Sequence, residues 1–378
     1  MEQSVCNNVG CEKSMAKTKK TSFDGVLFAT VIVLSLFGLI MIFSASSPSA
    51  FSLYGDSFYF VKKQLIWTVL GFGVLFFCAS FDYRKYKKFG VAIFALNIIL
   101  LLLVLVIGVE TKGAKRWLNL GIGTVQPSEF TKVSIVILMA MYFEVMGKTK
   151  QTMKNVYLPL AVLVGIPCIL LILQPHFSVI IIIGATVFGM LCVYGIQFKF
   201  YLPIIIGGGA MGAYLAISEP YRLKRITAYL DPFSDKLGDG WQIVQSLYAI
   251  SSGGVFGLGL SRSRQKHLYI PEPQNDYIFS IICEELGLIG AIVVIVLFVV
   301  LFLRCVKIAL SCKDPFGTYM AFGMGFLIII QVVLNIGVAS NLLPSTGIPL
   351  PFFSAGGSSF VFQMMAMGIV LNISRHRS

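Results

Sequence analysis

The chain has 378 residues, 57% hydrophobic and 12% charged, with a formal net charge of +13 and a mean hydropathy of +0.84. A soluble domain carries about 25% charged residues, so an ordinary soluble enzyme is excluded. Long apolar runs recur from one end to the other instead of short alternating segments; this excludes a transmembrane barrel and gives an all-α polytopic membrane protein. The basic excess sits mostly in short segments between apolar runs, where it orients helices, so no nucleic acid is expected as a partner.

Residues 1–23 read as a polar tail, longer than the charged region of a signal peptide, so the first apolar run is expected to be retained. Ten runs follow, each about the ~20 residues a bilayer needs: 24–46, 60–79, 88–108, 128–146, 157–174, 177–195, 200–217, 278–304, 316–340 and 352–373. Only Gln174-Pro175-His176-Phe177-Ser178 separates the fifth from the sixth, which predicts a tight hairpin. Two longer polar segments, 109–127 and 218–277, fall on the same side. Tyr, Trp and Leu throughout the second argue against disorder. Within it, 242–250 has apolar residues at helical spacing and is expected at the interface, and Gly253-Gly254 with Gly257-Leu258-Gly259 predicts a turn-rich passage.

Charge sets the expected orientation. With the N-terminus in the cytoplasm, the inner segments hold Lys13, Lys17, Lys19, Lys20, Arg84, Lys85, Lys87, Lys88, Lys148, Lys150, Lys154, Lys199, Arg304, Lys307, Lys313, Arg375 and Arg377. The short outer ones hold Lys62, Lys63, Lys112, Lys115 and Arg116. That imbalance places both termini inside and 218–277 outside, since a loop of that length crosses regardless of its own charge. Most of the eight cysteines lie in or beside apolar spans and read as small hydrophobes. Cys6 and Cys11 lack the partners of a zinc site, so neither a disulfide nor a metal cage is expected.

Against this background a few polar groups stand out. Asp276 lies in Pro271-Glu272-Pro273-Gln274-Asn275-Asp276-Tyr277, where the long polar segment meets an apolar helix. A carboxylate at that boundary is placed for proton chemistry on a lipid-linked molecule. Glu129 and Lys132 open the fourth run three residues apart, on one helix face and within ion-pair reach. They read either as a carboxylate favoured by the helix dipole or as the lining of a polar cavity. Glu284 and Glu285 lie about 12 Å along the helix from Asp276 and read as hydrogen-bonding groups toward neighbouring helices. Asn97, Gln331, Asn335 and Gln363 read as interhelical contacts, and His176 as a hairpin residue. The basic clusters Arg222, Lys224, Arg225 and Arg262, Arg264, Lys266, with Lys115 and Arg116, are either a face attracted to anionic headgroups or a means of recognising a lipid-bound diphosphate. No Walker loop, zinc signature, dinucleotide motif or Gly-x-Ser-x-Gly is present.

Several of these runs together resemble the SEDS family (shape, elongation, division and sporulation). They are Lys115-Arg116-Trp117-Leu118 with Gln126-Pro127-Ser128-Glu129-Phe130-Thr131-Lys132; Tyr221-Arg222-Leu223-Lys224-Arg225-Ile226 with Leu230-Asp231-Pro232; and Gln245-Ser246 with Gly253-Gly254, Gly257 and Gly259. Pro271-Glu272, Asp276-Tyr277-Ile278-Phe279 and Glu284-Glu285-Leu286-Gly287 continue the match, and Pro344-Ser345-Thr346-Gly347-Ile348-Pro349-Leu350-Pro351-Phe352 with Ser354-Ala355-Gly356-Gly357-Ser358-Ser359 closes it. The resemblance covers residues 24–376. The run Ser261-Arg262-Ser263-Arg264-Gln265-Lys266 before Leu268-Tyr269-Ile270-Pro271 is similar to the FtsW and SpoVE branch rather than to RodA.

The resemblance implies a ten-helix fold in the bacterial cytoplasmic membrane and peptidoglycan glycosyltransferase activity on lipid II, yielding undecaprenyl-linked glycan. It also implies a class B penicillin-binding protein as partner. It makes Asp276 the expected catalytic residue. Arg116, Glu129, Lys132, Glu272, Arg262 and Lys266 are the expected substrate contacts, and a divalent cation, Mg or Mn, is a conceivable helper. The chain departs from the family pattern at His176-Phe177-Ser178, where an acidic residue and Gly-Thr are usual, and at Asn275, where Thr is usual. Two other readings fit the composition. A flippase for the lipid-linked precursor would need a polar path through the whole membrane depth. A non-catalytic scaffold would tolerate any residue at 276.

Overall fold

The computed structural model describes residues 23–376 apart from 112, 120, 122, 148, 149, 219, 236, 237, 239 and 268. Cys6, Cys11, the basic residues of the tail, Lys112, Lys148 and Arg377 lie outside them. In chain order the elements are α1 (Gly25–Tyr54), α2 (Tyr59–Ser80), α3 (Arg84–Lys88), α4 (Gly90–Ile107), β1 (Val109–Thr111), β2 (Ala114–Asn119), β3 (Thr124–Val125), α5 (Pro127–Met146) and α6 (Met153–Leu160). A π-helical turn (Ala161–Gly165) leads into α7 (Ile166–Leu173), followed by α8 (Phe177–Tyr194), α9 (Phe198–Ile217), α10 (Pro220–Leu230), α11 (Trp241–Ser252), α12 (Ile278–Ser311), α13 (Pro315–Ala339) and α14 (Gly357–Ser374). Among the described residues, eight segments are long and apolar enough to cross a membrane: α1, α2, α4, Met153–Leu173, α8, α12, α13 and α14. Helices α5 and α9, 20 residues each, stand where spans four and seven were expected. The π-helical turn interrupts the fifth span between Pro159 and Pro167, each of which removes a backbone donor from the helical ladder.

Helix α5 is the centre of the bundle. Every residue from 127 to 140 is buried, as expected of a helix enclosed on all sides by others rather than facing lipid. It packs against α4, α8 and α13, while α13 also packs on α12 and α14 on α2.

Three features differ from the sequence expectation, all at the end of the bundle that carries α10 and α11. Val109–Thr111, Ala114–Asn119 and Thr124–Val125 form a three-stranded antiparallel sheet, ordered β1-β2-β3 and pairing Val109 with Trp117 and Leu118 with Val125. The last span begins at Gly357 rather than 352, because Pro344, Pro349 and Pro351 keep 341–356 out of a helix. Its second half, 348–354, is nonetheless largely buried, with Ile348 and Phe353 in the core, so its backbone must find partners. Asn335 Nδ2 donates to Ile348 O (2.7 Å), Leu350 N to Ser354 Oγ (2.7 Å) and Phe352 N to Gln363 Oε1 (2.9 Å).

The third feature is a break in α12 at Gly287 (φ 67, ψ −163). The turn-rich passage after α11 repairs it. Leu258 N and Gly259 N donate to the carbonyls of Glu284 and Glu285, and Leu288 N donates to Gly254 O. A Cβ on Gly287 would lie 2.4 Å from Gly257 N, so both the conformation and the close approach require glycine.

Candidate functional site

Asp276 immediately precedes Tyr277, the N-cap of α12, and is half-buried. The backbone around it is pinned on several sides. Asn335 uses both amide hydrogens, one on Asp276 O and one on Ile348 O, each at 2.7 Å. Ser354 Oγ donates to Asn275 O (2.6 Å) and Ala355 N to Gln274 O (2.8 Å). The carboxylate lies against bare main chain: a Cβ on Gly347, whose φ is +67°, would sit 3.2 Å from Asp276 Oδ2. Glu272, exposed and with φ +50°, accepts from Asn275 Nδ2 at 3.0 Å.

Helix α13 relates this carboxylate to the pair on α5. Lys132 Nζ is 2.8 Å from Glu129 Oε2 and donates to Gln331 Oε1 at 2.8 Å, with both ends of the pair buried. Gln331 and Asn335 are four residues apart, so they share one face of α13 about 6 Å along its axis. The holder of the Lys132 ammonium and the holder of the Asp276 backbone are therefore adjacent groups on one helix.

The hairpin 174–178 closes this side. Arg116, on β2, donates through Nη2 to Pro175 O (2.6 Å) and through Nε to Gln174 O (3.3 Å). His176 Nε2 lies 3.4 Å from Gln126 Nε2. Burial, followed by the nearby charges of Arg116 and Lys132, pushes the imidazole pKa down to about 3. The ring is therefore neutral at pH 7 and accepts from the Gln126 amide, which leaves its proton on Nδ1. Among the described residues Nδ1 has no hydrogen-bond partner, and neither has the sealed Thr346 Oγ1. Ser178 Oγ donates to Thr346 O, so the segment 345–348 links the hairpin to Asp276.

The remaining expected contacts gather elsewhere. Lys266 is 2% exposed, and its ammonium is 2.9 Å from Glu285 Oε1, with Ser44 and Ser261 hydroxyls as further partners. Glu284 accepts from Ser263 Oγ and from Arg264 N (2.9 Å), and Ser44 Oγ donates to Glu285. The two glutamates thus tie the 261–266 loop to α12 and α1. Arg262 is exposed on that loop. The structure brings Arg116, Glu129, Lys132 and Asp276 around one hairpin and one proline-rich segment, and gathers Arg262 and Lys266 into a second cluster on Glu284 and Glu285. Among the described residues no group of three or more His, Cys, Asp or Glu stands close enough to hold a metal ion. The sequence reading did not assign Gln331, Asn335, Thr346 and Gly347 to the site. For Thr346 and Gly347 the signal was present in three prolines crowded between two apolar runs, a spacing no helix tolerates; Gln331 and Asn335 were read only as interhelical contacts.

Comparison with known proteins agrees with this architecture. A family model described as cell cycle protein, covering FtsW, RodA and SpoVE, matches residues 24–378. Stage V sporulation protein E of Bacillus subtilis is 39% identical over 95% of this chain and 99% of its own length. A probable peptidoglycan glycosyltransferase FtsW of Trichlorobacter lovleyi is 39% identical over 93% of each chain. Among solved structures, a chain from a study of polymerization and crosslinking by a peptidoglycan synthase complex superposes with a TM-score of 0.77 at 28% identity, covering 94% of this chain and 98% of that one. The rod shape determining protein RodA of Thermus thermophilus gives 0.70 at 26% identity, over 94% and 97%. A match that spans the membrane region from its first helix to its last means that the chain belongs to the FtsW/RodA/SpoVE family of cell cycle proteins.

Proposed function

We propose that this chain is a peptidoglycan glycosyltransferase that polymerises lipid II into glycan strands at the outer face of the bacterial cytoplasmic membrane. Similarity over nearly the full length to relatives named peptidoglycan glycosyltransferase FtsW and stage V sporulation protein E supports it. The observation that carries it is Asp276, whose backbone is held by Asn335 and whose carboxylate lies against Gly347, at one end of the bundle; Gln331, one turn along α13 from Asn335, holds the buried Lys132. In this reading both termini are cytoplasmic, all ten runs span, and the end with the β-strands, α10 and α11 faces outward.

The reaction joins two lipid-linked sugars. The acceptor 4-hydroxyl oxygen bonds to the donor anomeric carbon, the bond from that carbon to the diphosphate oxygen breaks, and the hydroxyl proton goes to Asp276. General-base help of this kind is worth roughly 10²–10⁴-fold. The leaving diphosphate is already anionic and needs cations rather than a proton, a part we give to Lys132 and Arg116. Glu129 positions Lys132. Glu272 and Arg262 are exposed and remain outer contacts for the headgroup, whereas we give Lys266 the task of holding the loop that carries Arg262. A Mg or Mn ion would supply further charge compensation to the leaving diphosphate, and among the described residues no group of three or more acidic, His or Cys side chains stands ready to hold it. Both lipid tails stay in the bilayer, so the chemistry needs no soluble domain. Below Lys132, α5 continues with Val133, Val136, Ile137 and Ala140, all buried. That apolar continuation favours polymerisation over translocation, which needs a polar path. The partner is a class B penicillin-binding protein, consistent with the similarity to a chain of a peptidoglycan synthase complex.

The deciding experiment uses purified protein and lipid II in detergent, where flipping has no meaning, with glycan products resolved on a gel. Wild type should give polymer, and Asp276→Asn none while its thermal unfolding is unchanged. Full activity in that variant removes Asp276 from the mechanism and returns the scaffold reading.

A further inference from the structure

A cavity of about 540 Å³ opens between α10, α11 and the start of α12, lined among others by Lys224, Arg225, Trp241, Gln242, Tyr277 and Ser345. It is large enough for a small-molecule headgroup. By contrast, the cavity at Glu129 and Lys132 holds only about 10 Å³. Its construction is specific. Arg225 Nη1 donates to Ser345 O at 2.9 Å, which fixes the guanidinium at the rim. Trp241 Nε1 donates to Tyr269 O at 2.6 Å, which fixes the orientation of the indole. Tyr277 is buried, and its hydroxyl lies 3.4 Å from Ser345 Oγ. Two cations beside a rigid aromatic ring and a carboxamide form a surface for an anion attached to a sugar: the guanidinium and ammonium meet phosphate oxygens, and the ring meets the apolar face of a pyranose.

Its place relative to Asp276 matters as much. Three consecutive residues of one segment face three different things. Ser345 contacts Arg225 and Tyr277, the Thr346 carbonyl takes the hydrogen bond from Ser178 in the hairpin beside Arg116 and Lys132, and Gly347 lies against Asp276. The cavity and the Arg116–Lys132 cluster are thus two separate cationic places, both connected to Asp276 through the same three residues. Polymerisation brings together two molecules, each with its own diphosphate, and like charges repel unless each is compensated separately.

We propose that the α10–α11 cavity is a second diphosphate subsite, taking the diphosphate and adjoining sugar of one of the two lipid-linked substrates while the half-buried Arg116 on β2 serves the other. This rests on the polymerase reading. It gives Lys224 and Arg225 the task of binding and Trp241 that of orienting the sugar.

The test measures binding of radiolabelled undecaprenyl diphosphate to the full chain in detergent, with inorganic pyrophosphate and undecaprenol as competitors. Wild type should bind a second equivalent that the double variant Lys224→Gln/Arg225→Gln loses, with at least about a tenfold weakening at that site. Arg225→Lys should restore it, which excludes simple misfolding. Pyrophosphate should compete weakly and undecaprenol not at all, which distinguishes a lipid-linked anion from a free one and from the tail alone. A double variant that binds as many equivalents as wild type, equally tightly, overturns the subsite. The two readings fail separately: a wild type that polymerises lipid II while the double variant keeps both equivalents loses only the subsite, and one that binds two equivalents without making polymer loses only the polymerase.

Discussion

The protein contains two buried lysine–glutamate pairs with the same atoms at nearly the same distance and different surroundings. Lys132 and Glu129 are 2.8 Å apart, Lys266 and Glu285 2.9 Å. The first pair is local, one turn of α5, with its carboxylate in the first turn, where the helix dipole already favours it. Among the described residues its side-chain partner from another helix is Gln331, and it borders a narrow cavity. The second joins residues far apart in sequence and is enclosed by Ser44, Ser261, Ser263 and the backbone of the 261–266 loop. A buried ion pair adds little net stability, but removing one member leaves the other unpaired at large cost. The enclosed pair therefore reads as architecture. In the polymerase reading, the local pair is the one that exchanges its partners for those of a substrate.

Breaking the enclosed pair should have the largest effect. Lys266→Met leaves Glu285, 0% exposed, without its cation and should destabilise by about 3–5 kcal/mol, seen as a sharp fall in the thermal unfolding midpoint in detergent. Activity should disappear in proportion to folded protein. Lys132→Met should behave in the opposite order. The midpoint should fall less, because the Glu129 carboxylate keeps the dipole and the cavity edge, while lipid II polymerisation falls about 10²-fold or more per folded molecule. Equal loss of midpoint in the two variants would show that both pairs are structural.

The same contrast explains what the sequence made legible. Most spans could be read because apolar length is a local property, and α5 was found despite its charges because Pro127 and Glu129 mark a helix start. Asp276, Glu129, Lys132 and Arg116 were expected near chemistry, and the structure places them around one hairpin. Lys266 was expected among the substrate contacts, but its partner lies 19 residues away on a helix, and no local spacing reveals that. The break at Gly287 was hidden inside an apolar run, since hydropathy does not register one residue with positive φ. The sheet at 109–125 was missed because strands this short carry too little alternation to stand out.

A smaller perturbation tests whether Asp276 is held by backbone, as its surroundings indicate. Gly347→Ala adds a methyl 3.2 Å from Asp276 Oδ2 at φ +67°. The strain should cost about 1 kcal/mol or slightly more, and displacement of the carboxylate should lower the polymerisation rate roughly ten- to hundredfold. Lipid II binding, measured as the substrate concentration giving half-maximal rate, should move far less than the rate. If the binding term carries the loss instead, Gly347 shapes the substrate pocket rather than the base.

The gentlest test changes only pH. The His176 pKa in the folded chain, about 3, lies below its ordinary 6.5 because the ring is desolvated and, to a smaller extent, near the charges of Arg116 and Lys132. Between those values the unfolded chain binds a proton that the folded chain refuses, so protonation favours unfolding. The contribution of the neutral ring is complete above pH 6.5 and is lost progressively as pH falls toward 3. Carboxylates elsewhere respond in the same range, so the informative quantity is the difference between wild type and His176→Gln, which cannot titrate. The unfolding midpoints of the two should run parallel from pH 8 to 6.5 and converge or cross below it, with wild type falling more steeply. Parallel curves down to pH 4 would mean that the ring is already solvated or protonated in the folded state. Lys132 and Arg116 would then share their hairpin with a third positive charge, and the local pair would lose the electrostatic setting that separates it from the enclosed one.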